Sequence, residues 1–296
     1  MILPASFQFS QGSLQDYVDC RRRFQLRYVR RLRWPAIEVA PPLESERHLQ
    51  QGAAFHRLIH RHLIGLPLKP LSEGVTDPDL RRWWRNYLES GPADLPAQRY
   101  PELGLSAPLG NFRLVAQYDL VAVDVGERTV IVDWKTNRKR PGRASLSERL
   151  QTHVYPYLLV RSGSFLNEGE AIRPEQVSMV YWFANFPARP ERFRYDDDQF
   201  RADHGHLTEL IAEIERVFGE EGHGDLLPRT KDEARCRYCR YRSLCERGVE
   251  AGSFRAGSFR AGSFGESASD PVVEWSADLE LDFEFDFEQV AETDYG

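Results

Sequence analysis

The segment Thr129-Val130-Ile131-Val132-Asp133-Trp134-Lys135 constrains this chain more than any other. Its β-branched residues read as a buried strand, yet it ends on a carboxylate and an amine. Period 2 along a strand sends Asp133 and Lys135 to the same face. An unpaired carboxylate at the end of so apolar a run is costly to bury, so that face must meet a partner charge or a cation. A D-x-K pair alone is most often a surface feature; the apolar setting gives this one its weight. Asp119 sits on the preceding strand, where a hairpin can bring it alongside. Two carboxylates on neighbouring strands can hold a hard divalent cation through oxygen ligands. Such a metal polarises a phosphoryl oxygen and lowers the pKa of bound water. A lysine beside it orients that water and offsets charge at a phosphate.

Around this strand the chain alternates between two textures. Residues 13–33 predict a helix. Leu14, Tyr17, Val18, Phe24, Tyr28 and Leu32 keep a 3–4 spacing, and Arg21, Arg22, Arg23, Arg27, Arg30, Arg31 and Arg33 make the remainder basic. A proline-bearing link follows at 35–42. Residues 46–64, containing His56, and 77–90, containing Trp83 and Trp84, predict two more helices. Residues 102–108 and 111–124 carry short alternating runs about a turn at Leu109-Gly110-Asn111, and 125–128 predict a second turn. Helix returns at 145–162, a strongly apolar strand at 177–186, and an amphipathic helix at 198–219. Pro156 predicts a kink after Tyr155. This order describes an α/β fold, a central mixed sheet flanked by helices, occupying residues 1–250.

The net charge of −6 over 296 residues argues against a nucleic-acid partner until its distribution is read. Residues 266–296 hold eleven Asp and Glu and no Lys or Arg, so residues 1–265 carry +5. Residues 251–265 repeat AGSFR, AGSFR and AGSFG, which predicts a flexible linker. The acidic segment 266–296 is expected to be a disordered tail. Within it, 278–288 alternate strictly between acidic and apolar residues, with more Leu and Phe than a purely solvating segment carries. That pattern predicts docking on a partner protein or on the chain's own basic surface. No apolar run approaches the roughly 20 residues that span a bilayer, and MILPASFQFSQGS lacks a charged region followed by an apolar stretch. The expectation is a cytoplasmic protein with no membrane contact.

Asp119, then Asp133-Trp134-Lys135-Thr136, then Gln151 with Tyr155, resembles the PD-(D/E)XK nucleases of the RecB type. In them a helical His, an Asp, a D-x-K strand and a Q-x3-Y helix occur in that order. Gly52-Ala53-Ala54-Phe55-His56 fits the His motif, and Glu102 matches a frequent strand glutamate. The resemblance covers about residues 6–248. It implies a restriction-endonuclease-like core, a DNA substrate, and catalytic roles for Asp119, Asp133, Lys135, Gln151 and Tyr155. It also implies a Mg2+ or Mn2+ held by His56, Asp119 and Asp133. One departure is Ala116-Gln117-Tyr118-Asp119, where relatives often carry Gly-Arg-Ile-Asp. Read without the resemblance, Gln151 and Tyr155 share one helix face. They suit a buried packing pair as well as they suit contacts to Lys135 or to a DNA backbone. His56 alone is more often a helix-surface histidine; His60 gives it zinc-like i,i+4 spacing, but no Glu adjoins it.

The four cysteines are Cys20, Cys236, Cys239 and Cys245, the last three spaced C-x2-C-x5-C. So few in a chain of this kind argue against a disulfide framework. A tetrahedral or cubane site needs a fourth ligand, and Cys20 is the remaining cysteine. On spacing alone zinc and unrelated buried thiols stay open. The 1 + 3 arrangement resembles AddB C-terminal-like and CRISPR-associated iron–sulfur exonucleases. That resemblance implies a [4Fe–4S] cluster stapling the N-terminal helix to the C-terminal segment. The arginine run is then either a solvated face or a phosphate contact, and Trp83, Trp84 and Trp134 are either core or platforms for unpaired bases.

Three readings of function follow. The first is a metal-dependent nuclease, an exonuclease on single-stranded DNA, serving repair, recombination or defence. The second is a catalytically silent iron–sulfur DNA-binding module of a repair complex; a zinc-binding scaffold is a third reading. A silent relative typically loses the lysine or an aspartate, whereas His56, Asp119, Asp133 and Lys135 are all present. No G-x4-G-K-[ST] motif occurs, so any unwinding would come from a helicase or other repair partner.

Overall fold

Two long strands, β2 (Gln98–Leu109) and β3 (Phe112–Asp124), pair antiparallel about Gly110, whose φ of 59° suits so tight a turn. A second hairpin turns through Gly126, φ 74°, into β4 (Arg128–Lys135). The computed structural model describes residues 3–4, 6–32, 44–219, 226–236 and 239–247. The proline link, Arg33, the Gly/Ser repeat and the acidic tail lie outside the described residues. Parallel to β4 runs β5 (Val177–Phe183), which pairs antiparallel with β6 (Glu191–Arg194). A short β1 (Gln8–Ser10) lies parallel to β3. The sheet order is β1-β3-β4-β5-β6 with β2 beside β3, the mixed sheet that the sequence predicts.

The arrangement around β3 creates the site. β2 occupies one edge of β3 along its whole length. On the other edge β1 takes 113–115 and β4 takes 120–124. Residues 116–119 therefore lie in a fork between two strands.

Strand alternation divides the core into two layers. Leu120, Val130, Val132, Trp134, Val180 and Trp182 face one side and meet α3 (Glu44–Leu63) and α5 (Pro78–Ser90). Val121, Ile131, Met179, Tyr181 and Phe183 face the other. There they meet α1 (Gln11–Asp19), α7 (Leu150–Ser162) and α8 (Asp197–Gly219). Local signals start these helices. Ser10 and Ser13 form a capping box on α1, and Asp77 caps α5 with Pro78 at its first position. α4 (Leu68–Glu73) bridges α3 and α5, and α6 (Arg143–Ser147) precedes α7.

Two predicted helices are each broken once. The helix predicted at 13–33 stops at Cys20, whose backbone is extended (φ −162°, ψ 104°), then resumes as α2 (Arg21–Phe24) and a π turn, Gln25–Val29. The break re-phases the apolar face, so Leu14, Tyr17 and Phe24 are buried while Val18 and Leu32 are exposed. The helix predicted at 145–162 breaks before Leu150, whose N–H is capped by Gln15 Oε1 at 3.2 Å. α7 then continues through Pro156. Among the described residues no helix is long and apolar enough to cross a membrane.

Candidate active site and cysteine cluster

Asp119 closes the fork. Its Oδ2 accepts the Trp134 N–H at 2.8 Å, a side chain standing in where the β3–β4 ladder has ended. Its Oδ1 lies 3.0 Å from His56 Nδ1, so α3 is tied to the sheet at this point. Gly52 allows that approach: a Cβ there would sit 3.1 Å from Thr136 Oγ1. Asp133 and Lys135 share the face turned toward α7, 3% and 9% exposed, with Lys135 Nζ 3.1 Å from Asp133 Oδ2. From α7, Gln151 Nε2 donates to Asp133 Oδ1 at 2.6 Å. One turn on, the Tyr155 hydroxyl donates to Gln117 O at 2.8 Å. His56, Asp119, Asp133, Lys135, Gln151 and Tyr155 thus converge on one fork from four elements, α3, β3, β4 and α7.

The electrostatics follow from this crowding. Burial alone would lower His56. The charge of Asp119 and its hydrogen bond, with Asp133 behind it, instead push the imidazole up to about 9 against the opposing charge of Lys135. Glu102, on β2 opposite Asp119, has its carboxyl raised by burial and by Asp119. Tyr181, beneath Lys135, is pushed above the ordinary phenol range by burial and by Asp133.

The ligating atoms satisfy one another here, His56 with Asp119 and Asp133 with Lys135 and Gln151. Among the described residues no three His, Cys, Asp or Glu side chains surround one point as a ready cage. Their chemistry nevertheless fits a hard or borderline divalent cation: two carboxylates and an imidazole. Gln151 adds Oε1, which is buried and accepts no hydrogen bond among the described residues.

Sequence reasoning missed Asn185, in the turn after β5. Its Nδ2 donates to Thr136 O (3.1 Å) and Asn137 O (3.0 Å), the two residues behind Lys135. Its Oδ1 accepts from Trp83 Nε1 (2.8 Å) and Arg82 (3.0 Å). No motif marks this residue. The tryptophans are core: Trp83, Trp84 and Trp134 are 1%, 3% and 2% exposed, packed with Phe55 and Tyr87, so stacking on unpaired bases is ruled out for them. The arginine run is largely engaged internally. Arg23 pairs with Asp16 and Asp19, Arg27 with Asp16, and Arg21 with Glu213.

The cysteines lie at the seam between the chain's two ends. Cys20 occupies the break between α1 and α2, and Cys236 ends a 3-10 turn, Glu233–Cys236. All four are free thiols and half-buried. Burial pushes Cys239 up to about 11, with Cys236 and Cys20 adding to it. Cys236 is likewise raised by burial and by Cys20 and Cys245. Neighbouring polar contacts close the same seam. Arg235 pairs with Asp19, the Tyr241 hydroxyl donates to Leu32 O at 2.8 Å, and Leu227 N–H donates to Gln25 Oε1 at 2.8 Å.

A family profile described as the PD-(D/E)XK nuclease superfamily matches residues 8–246. Among solved structures, this chain is similar to one described as SSO0001, at 12% identity and a TM-score of 0.39, covering 80% of this chain and 85% of that one. It is also similar to a candidate exonuclease from Eubacterium rectale, at 10% identity and a TM-score of 0.48, covering 78% and 86%. A search of curated proteins finds no match.

Proposed function

Because this chain belongs to the PD-(D/E)XK nuclease superfamily, we propose that it is a DNA nuclease dependent on Mg2+ or Mn2+, with its reacting centre at the β3–β4 fork. The observation that carries this reading is the meeting of Asp119 and Asp133 at that fork, with Lys135 on the Asp133 face. Asp119, Asp133 and His56 would hold the cation. When bound, the cation supplies charge at the phosphoryl oxygen and acidifies a coordinated water. Lys135 orients the attacking water and offsets the negative charge that builds at the phosphate. Gln151 fixes the rotamer of Asp133 through its 2.6 Å bond. Tyr155 pins the backbone of β3 inside the fork.

Cys20, Cys236, Cys239 and Cys245 form the second part of the proposal. Gathered thiols raise one another's pKa, and a bound metal relieves that repulsion. We assign them a [4Fe–4S] cluster that staples α1 and α2 to the C-terminal segment, in keeping with the family resemblance of their spacing. The substrate reading is a single-stranded DNA end, attacked exonucleolytically in the cytoplasm during repair, recombination or defence, with unwinding left to a helicase partner.

The test is cleavage of end-labelled single- and double-stranded DNA with Mg2+ or Mn2+. Asp133→Ala and Lys135→Ala should each abolish cleavage while DNA binding survives, and Asp133→Ala should bind at least as tightly because an anion facing the phosphate is gone. Wild-type cleavage by both variants refutes the assignment.

A further inference from the structure

Glu102 is the one non-glycine residue within a strand that has a positive φ, 52°, among the described residues. A side chain in that region is strained and persists only where its surroundings over-determine it. The surroundings are specific. Bridged pairs run Pro101↔Leu120 and Leu103↔Tyr118, leaving Glu102 opposite Asp119 without a ladder pair. Gln117, on β3, donates its side-chain amide to Glu102 O (2.5 Å) and to Glu102 Oε2 (3.3 Å). Gly104 makes room for that amide, since a Cβ there would come 3.3 Å from Gln117 Oε1. The backbone of Gln117 is itself held by Tyr155 of α7. The Glu102 carboxylate lies within electrostatic reach of Asp119, His56 and His60.

We propose that Gln117 is a positioning residue: its amide holds Glu102 in the left-handed conformation, which keeps a third carboxylate beside the His56–Asp119 pair, where it strengthens binding of the divalent cation. Gln117 acts through Glu102 and touches neither cation nor substrate. The line of hydrogen bonds runs from α7 through Tyr155 and Gln117 to Glu102, so the helix sets the geometry of a residue on the far strand. This inference rests on the metal-dependent reading of the fork.

The experiment measures Mn2+ affinity of the full chain by the loss of its free-ion magnetic resonance signal, together with the thermal midpoint, in four variants. Gln117→Met keeps the bulk and removes the donor. Its Mn2+ affinity should fall about 10–100-fold, the usual effect of losing an outer-shell partner. Glu102→Gln should fall at least as far. Glu102→Gly relieves the backbone strain, so it should unfold no earlier than wild type while binding Mn2+ as poorly as Glu102→Gln; a merely structural role would not separate these readouts. Asp119→Asn reports on the underlying assignment. If it keeps wild-type Mn2+ affinity, the metal-dependent reading fails. If Asp119→Asn loses Mn2+ while Gln117→Met and Glu102→Gln bind it as wild type does, the positioning role alone is overturned.

Discussion

Asn185→Ala tests whether the end of the catalytic strand is held from outside the active site. The residue makes four bonds: two from its amide to the carbonyls of Thr136 and Asn137, and two accepted from Trp83 and Arg82. Truncation leaves the Trp83 indole N–H, on a side chain 1% exposed, with no acceptor. A stranded buried donor costs about 1–3 kcal/mol, and each lost ordinary bond about 0.5–1.5 kcal/mol. Water reaches Arg82 and part of the loop, so the total should be about 3 kcal/mol. For a domain of this size each kcal/mol moves the midpoint by about 2–4 °C, giving a fall of about 6–12 °C. Denaturant and thermal unfolding would measure it. Cleavage rate and DNA affinity should be followed in the same preparations below the transition. Loosening residues 136–137 displaces Lys135, and small misplacements of a reacting group cost up to about 100-fold in rate, so rate should fall more than affinity. A loss under about 0.5 kcal/mol with wild-type cleavage would show that Trp83 finds another acceptor and that the clamp does nothing for Lys135.

Three further outcomes are expected. His56→Ala should lower activity and shift the preference between Mg2+ and Mn2+, because imidazole suits Mn2+ better; unchanged metal titrations would remove His56 from the ligand set. Anaerobically purified protein should be brown with about four iron atoms per chain, and Cys20→Ala should lose both colour and stability, since Cys20 and Cys236 are 216 residues apart and the staple closes nearly the whole domain; a colourless protein with one zinc would overturn the cluster. His153 is raised by its 2.7 Å bond to the buried Asp203, against the effect of burial. Its stabilisation is therefore complete below the unfolded value near 6.5 and fades as pH climbs through the raised folded value. His153→Gln should flatten that decline, and an identical pH profile in the variant would refute it.

Much of the fold was legible because the decisive strands carry strong local signals. The β3–β4 hairpin announces itself through β-branched residues and a Gly126 turn, and α3, α5 and α8 through long apolar periodicities. β1, β6 and α4 are three, four and six residues long. At that length no period can be told from chance, and tertiary pairing decides the outcome. The break at Cys20 was hidden for a different reason. The apolar spacing runs on through it, and the interruption is imposed by where Leu14, Tyr17 and Phe24 must meet the sheet and by the seam that Cys20 shares with the C-terminal segment.

The candidate site divides along the same line. Asp133, Lys135, Gln151 and His56 belong to short-range patterns, a strand period and two helix faces, and so can be picked out in the chain. Their convergence depends on β1 and β4 dividing one edge of β3, a contest between segments more than a hundred residues apart. A one-residue slip of β4 against β3 would turn Asp133 and Lys135 into the α3 layer and Trp134 toward α7. The stretch between Asp119 and Trp134, a separation of 15 in sequence, is therefore constrained twice, by the Gly126 turn and by the 2.8 Å bond that closes the fork. Asn185 and Gln117 hold the two sides of that fork through backbone carbonyls, which carry no side-chain identity. A bond to a backbone carbonyl implies no complementary residue type elsewhere in the chain, and the side-chain partners of these two, Trp83 and Arg82 for Asn185 and Glu102 for Gln117, lie on other elements, so both residues emerge from the folded geometry alone.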